Sequence, residues 1–158
     1  MIAPLPLTVT VETVSPRILA AVRQHVRSAD IAASFASALD QVWAFLRNNP
    51  GLRSDGHNVL LYHHRSGHPA TGMDVDFGVE VTRRFQPVGP IDCVETPAGR
   101  AAIAVHRGAY RGISAAHDAV HRWCRDNGET IGPYSWEIYG DHTDDESQLE
   151  TTIVYLLA

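Results

Sequence analysis

The spacing of apolar and polar positions divides the chain into short segments of two kinds. Residues 7–14 (LTVTVETV) alternate and are rich in Val and Thr, which predicts a strand. Residues 18–26 are read as continuing the sheet after Pro16, although their Ala, Val and Ile do not alternate cleanly. The period then changes. Phe35, Leu39, Val42 and Leu46 recur every three to four residues, as on one face of a helix, and Asn48, Asn49, Pro50 and Gly51 end it. Strands are expected at residues 58–64 (NVLLYHH) and 74–82 (DVDFGVEVT), joined by a polar, Gly-containing loop at 65–72.

The second half repeats this plan. Residues 91–95 and 100–106 (RAAIAVH) read as strands. After Gly112, the residues Ile113, Ala116, Val120 and Cys124 hold helical spacing, and Asn127 and Gly128 supply the stop. Two more strands, 134–139 (YSWEIY) and 151–157 (TTIVYLL), flank a polar, acidic loop at 142–148. The helices carry Trp43 and Trp123, and a tyrosine-bearing strand follows each, with Tyr62 in one half and Tyr139 in the other. The reading is one α+β domain over residues 1–158, with half-repeats at about 5–85 and 90–158. Two unrelated α+β units in tandem are the alternative. A true repeat would set a groove at a pseudo-two-fold axis between the halves, a common kind of ligand site.

Composition narrows the partners. A net charge of −5 argues against a general attraction to nucleic acid or anionic membrane. Cys93 and Cys124 form no CxxC pair, so neither a disulfide framework nor a cysteine zinc site is expected. Residues 1–7 show no signal-peptide pattern and no apolar run approaches a membrane span, so the expected location is the cytoplasm.

Candidate chemistry centres on residues 134–139. Alternation puts Ser135, Glu137 and Tyr139 on one face, and Trp136 and Ile138, the natural core pair, on the other. A carboxylate flanked by Tyr139, and by Tyr62 or Tyr110, attracts an organic cation through its charge and through ring quadrupoles worth about 0.5–2 kcal/mol each. Burying it without a partner is costly, so an empty pocket must keep it wet or neutral. The plainer reading makes Glu137 an exposed strand residue. His117 and His121 stand at i and i+4, as in a zinc-binding HExxH helix, but Asp118 replaces the glutamate and no third ligand is evident. They read as an exposed polar helix face, and His63, His64 and His68 as solvated loop residues. No metal and no cofactor is expected. There is no G-x-S-x-G elbow, no Cys–His pairing and no Gly-rich phosphate loop. No helical pair of the helix-turn-helix kind precedes the domain, so direct nucleic-acid binding is not expected.

Several short motifs, in order, resemble the GyrI-like domain, the effector-binding domain of AraC-type and MerR-type regulators. Residues 74–81 (DVDFGVEV) are similar to its acidic–apolar strand. Thr96-Pro97-Ala98-Gly99-Arg100 with His106-Arg107-Gly108-Ala109-Tyr110 resembles its PaG…HxGpY stretch. Gly132-Pro133 with Trp136-Glu137-Ile138-Tyr139 resembles GP…wExY, and residues 151–157 resemble TeiyiPl, with Leu156 in place of the proline and Val154 in place of an aromatic residue. The resemblance implies a pseudo-symmetric antiparallel sheet with two helices packed on one side. It implies a groove for amphipathic or cationic compounds, with Glu137 as the groove carboxylate; in the binding reading of these residues, Tyr139, Tyr110 and Tyr62 form an aromatic wall beside it.

Three functions are then open. The first is a small-molecule-binding protein that senses an effector, for a separate regulator, or sequesters a toxin. The second is a hydrolase of small cyclopropane-type electrophiles, in which Glu137 acts with Tyr110 or Tyr139; family members with that activity use the equivalent glutamate. The third is an inhibitor that touches DNA gyrase through Asp141, Asp144, Asp145 and Glu146, for which solvated loop charges are the simpler explanation.

Overall fold

The computed structural model describes residues 7–158, apart from the side chain of Asp55. The start of the first half-repeat, at residue 5, and nearly all of the 1–7 stretch lie outside the described residues. In chain order the elements are β1 (Val9–Val14), β2 (Ile18–Val26), α1 (Ile31–Arg47), β3 (Arg53–His68), β4 (Gly72–Val81), β5 (Asp92–Glu95), β6 (Gly99–Arg107), α2 (Ile113–Asp126), β7 (Ile131–Tyr139) and β8 (Glu150–Leu157).

The eight strands form one antiparallel sheet in the order β1-β6-β8-β7-β3-β4-β2-β5. This order is symmetric about the junction of β7 and β3. Each of β3, β4, β2 and β5 on one side has its counterpart in β7, β8, β6 and β1 on the other. The outermost strands are exchanged: β1 pairs with β6 of the second unit, and β5 pairs with β2 of the first. The strand, helix, strand, strand plan of the sequence therefore occurs twice, and each unit lends its leading strand to the other.

Both helices lie on the same face. α1 buries Ala38, Leu39, Val42 and Leu46 against Ala20, Val22, Leu60, Phe77 and Val79. α2 buries Ile113, Ala116, Val120 and Cys124 against Ala102, Ala104, Ile153 and Tyr155. Each fully buried aliphatic or aromatic side chain contributes about 1.5–3 kcal/mol, so these stripes dominate the docking of each helix. The other face carries its own apolar layer: Leu19, Ala21, Val59, Leu61, Ala101 and Val154 surround Trp136, which is almost wholly buried. Among the described residues no helix is long and apolar enough to cross a membrane.

One detail departs from the sequence reading and two others refine it. The loop expected at 65–72 is mostly strand: β3 runs to His68, and only residues 69–71 separate it from β4. The hairpin irregularity is absorbed by a register shift between His63 and His68 and by Gly72, whose φ of 125° suits a residue without a Cβ. Trp43 and Trp123 are half-buried against the two helix-side clusters, and Trp136 is packed in the core, as the alternation of its strand predicts. The Gly132-Pro133 pair also has a physical role. Pro133 has no N–H for the ladder, and the β7–β8 register breaks between Ile131 and Ser135. A Cβ on Gly132 would come within 3.0 Å of the Leu156 carbonyl oxygen.

Candidate functional site

β3 and β7 are the two central strands, so the helices, docked on the strands to either side, flank them. In this pair Leu60 opposes Glu137 and Tyr62 opposes Ser135. On the next strand Ile153 opposes Glu137 and Tyr155 opposes Ser135. Residues opposite one another share a face. Glu137 therefore lies on the helix-covered face, in the middle of the sheet, and is 3% exposed. The exposed-strand reading of Glu137 is wrong because both sheet faces are apolar and packed. Trp136 fills one layer while Glu137 is enclosed in the other.

The carboxylate is not left without partners. The Tyr62 hydroxyl donates to Oε1, and the Tyr139 hydroxyl donates to the same oxygen at 3.4 Å. Nε2 of His117, from α2, lies 3.1 Å from Oε2. Hydrogen bonds to a charged group contribute about 1.5–3 kcal/mol each when well formed, which offsets much of the cost of burial. The expected choice between a wet and a neutral carboxylate is thus replaced by a third solution, in which the protein supplies the donors.

Around this centre the side chains form a continuous polar and aromatic network. Nδ1 of His117 is 2.6 Å from the Tyr155 hydroxyl, and Nε2 of His121 is 3.1 Å from that hydroxyl. His64 lies between Tyr62 and Tyr155, with ring planes 16° and 10° from theirs, and its Nε2 is 2.6 Å from the Ser135 hydroxyl. Tyr110 meets Tyr139 edge-on at 5.5 Å between ring centres, and Phe35 of α1 meets the same ring at 5.4 Å. Tyr62, Tyr139, Tyr110 and Glu137, which the sequence singles out, are thereby linked. Tyr62 is buried, Tyr139 half-buried and Tyr110 exposed.

The network shifts its own titrations. Burial, reinforced by the Glu137 charge, raises the Tyr62, Tyr139 and Tyr155 phenols well above their ordinary range. Burial also lowers His64, with help from His121, His117 and His63, and lowers His121, with help from His117. The tyrosines are therefore neutral donors at physiological pH.

His117, His121, Tyr155 and His64 are the residues that sequence reasoning missed. The i, i+4 histidine pair was the available signal; His121 does lie on the exposed side of α2, but His117 is half-buried and not turned to water. The α2 stripe that buries Val120 also turns His117 toward β7 and β8. Phe35 reaches the network too. Among the described residues no group of three or more His, Cys, Asp or Glu side chains is placed to hold a metal ion.

A contrast within the same sheet defines the character of Glu137. Asp76 is equally buried, at 1% exposure, but Arg23 grips it with Nε at 2.8 Å and Nη2 at 3.2 Å, and His63 adds a third contact at 2.6 Å. Glu137 has no arginine among its described partners. One other polar group stands out. The Thr151 hydroxyl, directly across the ladder from Tyr139, is fully buried and has no hydrogen-bond partner in the structure.

Comparison with known proteins agrees with this architecture. The crystal structure of the EcmrR C-terminal domain matches with a TM-score of 0.81 at 22% identity, over 98% of this chain and 99% of that one. EcmrR in a cryo-EM complex with DNA matches with a TM-score of 0.80 at 22% identity over 96% of this chain, and this chain spans 57% of its length. SAV2435 bound to tetraphenylphosphonium matches with a TM-score of 0.69 at 11% identity, over 96% of this chain and 94% of that one. These likenesses establish a shared fold. Comparison of the sequence with curated proteins finds no match. The GyrI-like small-molecule-binding domain matches residues 7–157, nearly the whole described chain, and the chain belongs to that family.

Proposed function

We propose that this domain binds small amphipathic organic cations at Glu137, as an effector-binding or toxin-sequestering protein. The observation that carries the reading is the buried carboxylate held by two phenols and an imidazole in place of an arginine. The chain spends an arginine on Asp76, whose charge is then permanently neutralised. At Glu137 the negative charge stays available in a low-dielectric setting, where an incoming cation gains more than it would in water. Tyr139, Tyr110 and Phe35 add aromatic surface beside it, each ring worth about 0.5–2 kcal/mol to a cation over its face. The tetraphenylphosphonium bound to SAV2435, which has the same fold, supports this ligand class.

The test is calorimetric or fluorescence titration with tetraphenylphosphonium and with cationic dyes. Glu137→Gln is expected to keep the fold and weaken binding about tenfold, or about 1.4 kcal/mol. An affinity equal to that of the unaltered protein would remove the anchor role.

A hydrolytic role has one specific observation in its favour. Glu137 has hydroxyl and imidazole groups directly on its oxygens, which supplies the proton partner that an acid–base mechanism needs. Incubation with cyclopropane-bearing electrophiles separates the readings: product beyond one equivalent supports catalysis, and stoichiometric binding alone supports the first.

A further inference from the structure

The hydrogen-bond chain continues past Glu137 toward the surface. His117 touches Glu137 with Nε2 and Tyr155 with Nδ1, and Tyr155 touches His121, which sits on the exposed side of α2. An ionised carboxylate only accepts, so the Nε2 that faces it carries a hydrogen whichever charge the ring has. Nδ1 therefore decides the charge. In the neutral ring Nδ1 accepts from the Tyr155 hydroxyl, and the Tyr155 oxygen accepts from Nε2–H of His121. In the imidazolium Nδ1–H donates to the Tyr155 oxygen, and the hydroxyl turns to donate to Nε2 of His121. Each arrangement satisfies the Glu137–His117–Tyr155–His121 chain, and the two differ by one proton.

We propose that His117 is the resident counter-ion of Glu137, and that an organic cation binds there in exchange for the proton on Nδ1 of His117. This rests on the reading of Glu137 as a cation anchor. A ligand cation and an imidazolium on one buried carboxylate would repel each other at short range with little solvent to screen them. Loss of the proton removes that repulsion and leaves the Nε2–H bond to Oε2 intact. The proton leaves by relay: Nδ1–H of His117 passes to the Tyr155 oxygen as the Tyr155 O–H proton passes to Nε2 of His121, whose Nδ1–H goes to water, so each N–H or O–H bond broken is matched by one formed.

The surroundings fit. The groups that face His117 are Glu137 from β7, Tyr155 from β8, His64 from β3 and His121 from α2 itself, and Asp118 of α2 acts on His121. Tyr62 and Tyr139 occupy the other carboxylate oxygen. His64 and His121 are both held below the ordinary histidine range, chiefly by burial, so neither competes for the charge beside the carboxylate.

The experiment is titration of the whole chain with tetraphenylphosphonium, whose charge does not change with pH, between about pH 5 and 8, where imidazoles titrate. Running it in two buffers of different ionisation enthalpy counts the protons released. The unaltered protein should bind more tightly as pH rises, approaching about tenfold per pH unit on the acid side, and should release about one proton per ligand there. His117→Gln keeps an N–H for Glu137 but cannot hold the extra proton, so its pH slope and proton release should collapse. Binding without pH dependence or proton release would overturn the exchange and leave the anchor reading intact. Release that persists in His117→Gln would overturn the assignment to His117. An absence of tetraphenylphosphonium binding at every pH would remove both readings together. If His117→Gln does not fold, nitrogen-15 imidazole spectra of the unaltered protein at about pH 6 replace it. Binding should convert His117 from the protonated to the neutral form, and an unchanged spectrum would overturn the proposal.

Discussion

Tyr62 and Glu137, 75 residues apart in sequence, are joined by a hydrogen bond across the two central strands. They are not directly opposed. Tyr62 faces Ser135, and Glu137 faces Leu60, so the contact is diagonal and depends on the length of the tyrosine. Tyr62→Phe removes the donor and leaves a buried carboxylate with two partners. It should lower unfolding stability by about 1–3 kcal/mol, read from the urea midpoint at unchanged slope. A shift within error would mean that His117 and Tyr139 satisfy the carboxylate without it.

Acid should weaken the fold through two histidines. His64 and His121 have folded-state values below the ordinary one, so the unfolded chain binds more protons as the pH falls through the range of free histidine, about 6.5. Their contribution to stability is full above that range and is lost as pH drops below it. Chemical denaturation at a series of pH values between about 7 and 5 should show the decline. It should be shallower in His64→Gln, and an equal decline in that variant would assign it to other groups.

Thr151→Val tests the one orphan hydroxyl among the described residues. A buried hydroxyl without a partner costs about 1–3 kcal/mol, and valine has nearly the same shape. The variant should be at least as stable as the unaltered protein, with a midpoint that rises by up to about 1 kcal/mol in free energy. A clear loss of stability would mean that Thr151 has a partner in solution.

Much of this was legible in the chain. Alternation at 7–14, 74–82 and 151–157 and the helical stripes ending at Leu46 and Cys124 are local patterns, and they recover the elements in order. The motif resemblance identifies Glu137 as the groove carboxylate, and the tyrosines of the repeated strands, Tyr139 and Tyr62, join Tyr110 as candidates beside it. Residues 65–68 were not recoverable as strand. Their polarity reflects an exposed hairpin end, where solvent and not the core sets the composition. His117 was misread for a different reason. A histidine at i and another at i+4 look the same whether the helix turns them to water or to a carboxylate, and only the docking angle of α2 tells which.

By itself, the sequence determined that Ser135, Glu137 and Tyr139 share one face of a strand, because the pleat has period two. It determined that two helices with apolar stripes accompany a repeated set of strands, because burial requires those periods. The tertiary structure alone decided that this strand would be central, that the face of Glu137 would be the helix-covered one, and that the imidazole beside it would be His117. Those outcomes depend on strand exchange and on packing between residues far apart in the chain. No local pattern encodes which partner a buried charge will meet.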